Sequence, residues 1–242
     1  MSNLAATELV APSGVGRMYT ARRPVRLGDV SRGGRLRLDA IARYLQDVAT
    51  DDALDAGLVN AMGWVVRRTM FRVEGPPALN DVLELTTCCT GSGRSWAERR
   101  TSIRGQSGSI EAVSSWIQVD TTTGRPLRLD DGFFDSYGES AAGRRVSPSL
   151  TLPAPPPDQK GWACSFRVTD LDPFGHVNNA AQWAMLIELL GCGAAVGTFE
   201  IEYICPVDID DRLSLVVDGT MAWLVADGSP RTAFRWSPPS GT

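Results

Sequence analysis

The chain has 242 residues, of which 43% are hydrophobic and 21% charged, a composition typical of a globular protein with one large or two small domains. A formal net charge of −4 and a pI near 5.1 argue against a nucleic-acid-binding protein. Five cysteines without C-x-x-C spacing and a single histidine argue against a zinc site and predict reduced thiols in a cytoplasmic protein.

The first half of the chain predicts a strand, a helix and four further strands. A strand-like run at residues 22–27 precedes a turn that contains Gly33 and Gly34. A helix follows, because apolar residues from Leu38 to Ala49 recur at helical spacing and Gly57 can end it. Strand-like runs then cover residues 64–74, 82–90, 96–104 and 110–119.

The second half repeats this order after a proline-rich segment. Residues 141–158 predict a semi-rigid linker. A strand at 164–168 leads into a polar turn and then into a helix from Asn178 or Asn179 to about Leu190. Further strands are expected at about 199–205, 212–218, 220–226 and 231–236. The predicted units are therefore 17–140, a linker at 141–161, and 162–242.

Two offsets align the halves, which we interpret as an internal duplication. An offset of 141 pairs Arg26 with Arg167, Asp29 with Asp170, Val30 with Leu171 and Gly34 with Gly175. An offset of 130 pairs Pro76 with Pro206, Asp81 with Asp211, Leu83 with Leu213 and Leu85 with Leu215. The predicted fold is α+β: each half is an antiparallel sheet wrapped around a central helix, and the two sheets pair edge to edge.

The candidate active site is the turn before the second helix. It holds the lone histidine, His176, four residues after Asp172 across a Pro/Gly turn. A helix N-terminus carries unpaired N–H groups and a positive dipole end, which stabilise a developing oxyanion. The first half has Ser31 and Arg35 at the matching positions, so the chemistry is expected in the second half alone.

Structural roles are the alternatives for these residues. A lone histidine often fills a gap or caps a helix, and Asp172 has the residue type of an N-terminal helix cap. For Asn178 and Asn179, capping is the favoured interpretation.

The sequence resembles the acyl-ACP thioesterase family of plants and bacteria, whose members are tandem hot-dog proteins. The resemblance runs from about Val25 to Trp236, and the loop from Asp172 to Asn179 matches the family's Asp-x-Asn-x-His-Val-Asn-Asn. Three first-half segments also look like the family pattern: Leu45-Gln46-Asp47, Gly63-Trp64-Val65-Val66 and Ser115-Trp116-Ile117. The resemblance implies hydrolysis of fatty acyl thioesters, with acyl-ACP as the preferred substrate.

The chain departs from the family at three positions. Phe174 replaces the loop asparagine, Pro206 aligns with the downstream catalytic glutamate, and Val207 aligns with a cysteine proposed as nucleophile in the plant enzymes. Only the aspartate and the histidine carry over, so the resemblance implies a shorter catalytic constellation.

The expected mechanism assigns a role to each loop residue. Asp172 is the general base for water or the direct nucleophile. His176 binds the carboxylate or the thioester oxygen and protonates the leaving sulfur. Backbone N–H groups after Gly175 form the oxyanion hole, and Asn178 orients the loop. Cys205 is interpreted as a buried strand residue, with a nucleophilic role as the alternative.

The substrate is expected to lie on the first half. The acyl chain is expected along the first-half helix and sheet, among residues such as Trp64, Val66 and Met70, although a plain core role is the favoured interpretation of each of them. An acidic carrier and its phosphopantetheine arm are expected to approach an arginine-bearing surface that includes Arg22, Arg23 and others up to residue 37.

Alternative functions stay open at this point. They are an acyl-CoA thioesterase, a hot-dog protein that binds acyl thioesters without turnover, and a dehydratase or hydratase, which the Asp-x3-His spacing with Gly175 disfavours. The expected partner is an acyl carrier protein or CoA thioester, with no cofactor, metal or nucleic acid. No signal peptide or membrane span is expected. A monomer and a homodimer are both compatible with the sequence.

Overall fold

The structure is a computed structural model that describes residues 9–58, 63–147, 149–157, 159–191 and 196–238. Its first-half elements are β1 (Tyr19–Pro24), α1 (Leu38–Asp55), β2 (Gly63–Val73), β3 (Val82–Ser92), β4 (Trp96–Arg104), β5 (Ser109–Val119) and α2 (Asp131–Ala141). The second-half elements are β6 (Trp162–Cys164), α3 (Asn179–Leu190), β7 (Gly197–Tyr203), β8 (Leu213–Asp218), β9 (Met221–Ala226) and β10 (Ser229–Ser237).

The strands form one antiparallel sheet in the order β1-β3-β4-β5-β2-β7-β10-β9-β8-β6. Strands β2 and β7 join the halves, with Met70 opposite Glu200 and Phe71 opposite Phe199. Each half therefore has the same strand order around its own helix, which confirms the predicted tandem arrangement. No helix of the described ranges is long and apolar enough to cross a membrane.

The two central helices pack together on the inner face of this sheet. Strand residues point alternately to the two faces, so Phe71 and Phe199 face the helices. The Phe71 ring lies 4.4 Å from the ring of the buried Trp183 on α3. Ile41 and Leu45 supply the matching buried face of α1. One apolar core thus extends through both halves.

Equivalent carboxylates turn the chain after the first strand of each half. Asp29 Oδ2 accepts the Arg26 N–H at 3.1 Å, and Asp170 Oδ2 accepts the Arg167 N–H at 2.8 Å. Each bond closes one 3-10 turn, at Leu27–Asp29 and Val168–Asp170. The predicted strands at 22–27 and 164–168 are therefore wrong at their C-terminal ends, because these local bonds replace pairing in the sheet.

Two features between the halves differ from the prediction. Helix α2 was not expected; it begins where the Asp130 side chain accepts the Phe133 N–H at 2.9 Å. The proline-rich segment is fixed to the outer face of the sheet, since the buried Glu202 accepts the N–H groups of Thr151 and Leu152 at 2.7 and 3.0 Å. Pro148 and Asp158, which belong to the predicted linker, lie outside the described residues.

Candidate active site

The Asp172 carboxylate shapes the turn that precedes α3. Its Oδ1 accepts the N–H groups of Phe174 at 2.9 Å and His176 at 3.2 Å. Gly175 has φ of +85°, in the left-handed region that glycine adopts without strain. No donor among the described residues binds Asp172 Oδ2. One carboxylate oxygen therefore holds the turn, and the other is available to a ligand.

The backbone donors of the turn are largely occupied. The N–H groups of Gly175, His176, Val177 and Asn178 all donate to protein oxygens, at distances between 2.8 and 3.2 Å. These groups were expected to form the oxyanion hole, but their bonds hold the turn together instead. At the helix start, the Asn179 N–H has no acceptor in the described part of the chain, as is usual for the first turn of a helix.

Asn178 has the capping role that was the favoured interpretation. Its side-chain oxygen accepts the Ala180 N–H at 2.8 Å, which satisfies one of the unpaired donors of α3. Asn178 thus fixes where the helix begins, and with it the position of the Asn179 N–H.

The imidazole of His176 contacts a carboxylate that the sequence did not indicate. His176 Nε2 lies 3.7 Å from Asp208 Oδ1, and both side chains are about half-exposed. Asp172 contacts His176 only through the backbone N–H and carbonyl of that residue. The expected side-chain bond between Asp172 and His176 is therefore not formed.

The first half contains a cavity of about 260 Å³ between α1, α2 and the inner face of the sheet. Most of its lining is apolar and includes Trp64, as predicted. Val66 lines a second cavity of about 10 Å³. Met70 pairs with Glu200 on the outer face of the sheet, so its expected place beside the acyl chain is wrong. The main lining residues are Ala49, Ala53, Leu58, Trp64, Cys89, Ala97, Trp116, Phe133 and Tyr137.

Helix α2 supplies lining residues that sequence reasoning missed. Phe133 and Tyr137 lie one helical turn apart and both reach the cavity. The signal for this helix was available, because Asp130 is a good N-cap and Leu129, Phe133 and Tyr137 are spaced by four residues.

A row of side chains links the cavity to the start of α3. Trp116 lines both cavities, and Tyr203 lines the smaller one. The Tyr203 hydroxyl donates to the Asn179 carbonyl oxygen at 3.1 Å and accepts from Trp183 Nε1 at 3.1 Å. Burial raises the pKa of Tyr203 well above its usual value, so this hydroxyl stays protonated.

A buried carboxylate supports one end of the cavity. Asp52 is fully buried and accepts from Arg17 Nε at 2.7 Å, from the Tyr137 hydroxyl at 2.9 Å and from Arg99. Burial acts to lower the pKa of Arg99, but Asp52 and Tyr137 outweigh it and raise that pKa. A buried network of Asp52, two arginines and Tyr137 therefore lies beneath the apolar lining of the cavity.

The cysteines that the structure describes differ in their exposure. Cys205 is exposed, because β7 ends at Tyr203, so its expected burial in a strand is wrong. Burial raises the pKa of Cys89 to about 11, which keeps that thiol protonated. Cys192 lies outside the described residues. No group of three or more possible metal ligands is found among the residues that the structure describes.

The arginine-bearing surface is partly neutralised. Arg22 pairs with Glu84 at 2.9 Å, while Arg23 pairs with Asp47 and stacks on the Tyr44 ring at 3.6 Å. These residues border a groove of about 480 Å³ along β1.

Known proteins resemble this chain in sequence and in fold. The sequence profile of the acyl-ACP thioesterase N-terminal domain matches residues 16–137, about half of the chain and the part that contains the cavity lined by Trp64. An uncharacterised protein of Mycobacterium tuberculosis is 32% identical over 184 residues, which cover 75% of this chain and 74% of that protein.

Two further comparisons extend over both halves. The chloroplastic oleoyl-acyl carrier protein thioesterase 1 of Arabidopsis thaliana is 24% identical over 256 residues, which cover 94% of this chain and 68% of that protein. The crystal structure of an acyl-ACP thioesterase from Bacteroides thetaiotaomicron superimposes with a TM-score of 0.76 at 18% identity, covering 90% of this chain and 96% of that one. The two share the tandem fold.

Proposed function

We propose a catalytic route for this chain from the premise that it belongs to the acyl-ACP thioesterase family and is a thioester hydrolase. Water attacks the thioester carbonyl, the C–S bond breaks, and a free fatty acid and the carrier thiol are released. The observation that carries the route is the Asp172–His176 turn at the positive end of α3, in a chain whose other half holds an apolar cavity.

Asp172 is the general base in this proposal. Its Oδ1 is occupied by two N–H groups of the turn, whereas Oδ2 has no donor among the described residues. Oδ2 therefore accepts the proton of the attacking water. Direct attack by the same oxygen on the carbonyl is the second route.

His176 and Asn179 act on the other atoms of the thioester. The half-exposed imidazole of His176 protonates the leaving sulfur. The Asn179 N–H donates to the developing oxyanion from the first turn of α3, in place of the N–H groups that the turn uses itself.

The acyl chain lies in the first-half cavity, with Trp116 between the cavity and the start of α3. Its volume of about 260 Å³ is slightly below the ~300–1,000 Å³ common for small-molecule sites. This size favours short to medium acyl chains.

Acyl-ACP is the proposed carrier substrate, since the family and the Arabidopsis thaliana relative are named for it. Acyl-CoA is the alternative. Hydrolysis of ACP and CoA esters of one chain length, compared at equal concentration, separates the two by their kcat/KM values.

The decisive variant is Asp172→Asn. Asparagine keeps a side-chain oxygen that can accept both turn N–H groups, so it preserves the turn and removes only the charge. We expect thiol release to fall by about 10²–10⁴-fold with the fold unchanged by circular dichroism. Ser31→Ala, at the matching position of the first half, is the control and should retain activity.

A His176→Ala variant tests the proton donor in the same assay. Full activity of folded Asp172→Asn would assign Asp172 to capping alone and end the proposed route. Saturable acyl-thioester binding by wild type without thiol release would favour the non-catalytic alternative.

A further inference from the structure

The loop after β7 is fixed against the catalytic turn by the fold. The Val177 N–H donates to the Val207 carbonyl oxygen at 2.8 Å, and both valines are buried in the core. This bond brings the next residue, Asp208, beside His176, where Oδ1 and Nε2 are 3.7 Å apart. The contact thus follows from the backbone arrangement of two core-anchored segments.

The first half has the same backbone contact between its turn and its loop, but no histidine and no carboxylate at the matching positions. There the Leu36 N–H donates to the Pro77 carbonyl oxygen at 2.8 Å, and Arg35 and Ala78 form the equivalent backbone bridge. The offsets of 141 and 130 match Arg35 to His176 and Ala78 to Asp208. His176 and Asp208 therefore both occur in the half that carries Asp172, and neither has a counterpart of the same type in the first half.

A second bonded turn holds the backbone of Asp208. Its N–H donates to Asp211 Oδ2 at 3.1 Å, and Asp211 Oδ1 accepts from Arg231 of β10 at 3.1 Å. In the first half the Ala78 N–H donates to Asp81 Oδ2 at the same distance. Both halves therefore contain this turn, but only the second half has a carboxylate, that of Asp208, at its first position.

We infer that Asp208 is a positioning residue that orients the His176 imidazole. The inference rests on the proposed function. The family glutamate is replaced here by Pro206, and Asp208, two residues later, supplies a carboxylate to the histidine. As the C–S bond breaks, the imidazolium gives its proton to the sulfur and Asp172 takes the proton of water. Solvent then restores both groups.

The charge on His176 faces two carboxylates in the described part of the chain. Asp208 contacts it from the loop after β7, and Asp172 lies within its own turn. The contact with Asp208 holds the Nε2 side of the ring in one orientation. Loss of Asp208 removes this contact, so the imidazole is less often aligned with the leaving sulfur.

The first test measures kcat and KM for thiol release by Asp208→Asn, Asp208→Glu and the control Asp210→Asn. Asp210 is exposed, lies two residues away and has the same charge. We expect an up to about fivefold lower kcat with KM unchanged for Asp208→Asn, as for an exposed ion pair. Asp208→Glu should recover activity, and Asp210→Asn should match wild type.

The second test uses the fact that His176 is the only histidine of the chain. Its imidazole proton resonances therefore report the surroundings of the ring without assignment. In Asp208→Asn we expect these resonances to move from their wild-type positions, and the difference between the two proteins to shrink at high salt.

The outcomes separate the inference from the function. Unchanged kinetics and unchanged imidazole resonances in Asp208→Asn, with Asp172→Asn inactive, would overturn the positioning role and leave the hydrolase route intact. Imidazole resonances that differ between Asp208→Asn and wild type, while wild type releases no thiol, would support the pairing and overturn the proposed function.

Discussion

Replacing Ala53 by leucine should shorten the acyl chains that the enzyme accepts. Ala53 lies on α1 and lines the 260 Å³ cavity between α1, α2 and the sheet. Leucine is a good helix former, so the helix tolerates it, and its three additional carbon atoms enter the space assigned to the substrate.

The size of the effect follows from the hydrophobic contribution of the displaced chain. Each buried CH₂ contributes about 0.8 kcal/mol, so the loss of three costs about 2.4 kcal/mol. That corresponds to an about 50-fold lower kcat/KM for the longest chain that wild type hydrolyses well. Chains three carbons shorter should be unaffected, because they do not reach the added side chain.

The assay is thiol release over a series of acyl thioesters that differ only in chain length. Ala163→Leu makes the same substitution at an exposed position of β6 and should leave the series unchanged. If folded Ala53→Leu lost activity equally at every length, or kept the wild-type profile, the acyl chain would not lie in this cavity.

Three further predictions concern stability and reactivity. Asp52→Ala should lower the free energy of unfolding by about 3–5 kcal/mol in a denaturant titration, because two arginines lose a buried partner. The control Asp55→Ala, at an exposed position of the same helix, should lower it by at most about 1 kcal/mol. With its pKa near 11, Cys89 should resist alkylation at pH 8 and react faster only as pH rises toward 11, whereas exposed Cys205 should be alkylated before it. Peptide mass spectrometry measures the order of labelling, and early labelling of Cys89 would contradict its burial. Glu202→Ala should free the linker from the sheet and speed its limited proteolysis, and an unchanged cleavage rate would show that this bond does not hold the linker.

The elements of both halves could be predicted because their signals are local. Apolar spacing defined α1 and α3, and the repeated Arg26/Asp29 and Arg167/Asp170 pairs marked equivalent turns. Helix α2 was overlooked because the proline-rich composition that follows it dominated the interpretation of that region, although its cap and spacing were present.

The Asp172–His176 turn could be predicted in position but not in its contacts. Asp172 and His176 are close in sequence, so their proximity was visible, yet their side chains do not bind each other. Asp208 lies 32 residues after His176, and only the bond between Val177 and Val207 brings the two together.

The sequence by itself determined the duplicated fold and placed the Asp172–His176 turn in one half, because periodicity, caps and this turn depend on residues near one another in the chain. The tertiary structure alone decided which groups of the turn are already bonded and which residues line the first-half cavity. Hydrogen bonds occupied the expected oxyanion donors, sheet register turned Met70 to the outer face, and packing of α2 closed the cavity. Each of these depends on contacts between distant segments, which the order of residues does not reveal.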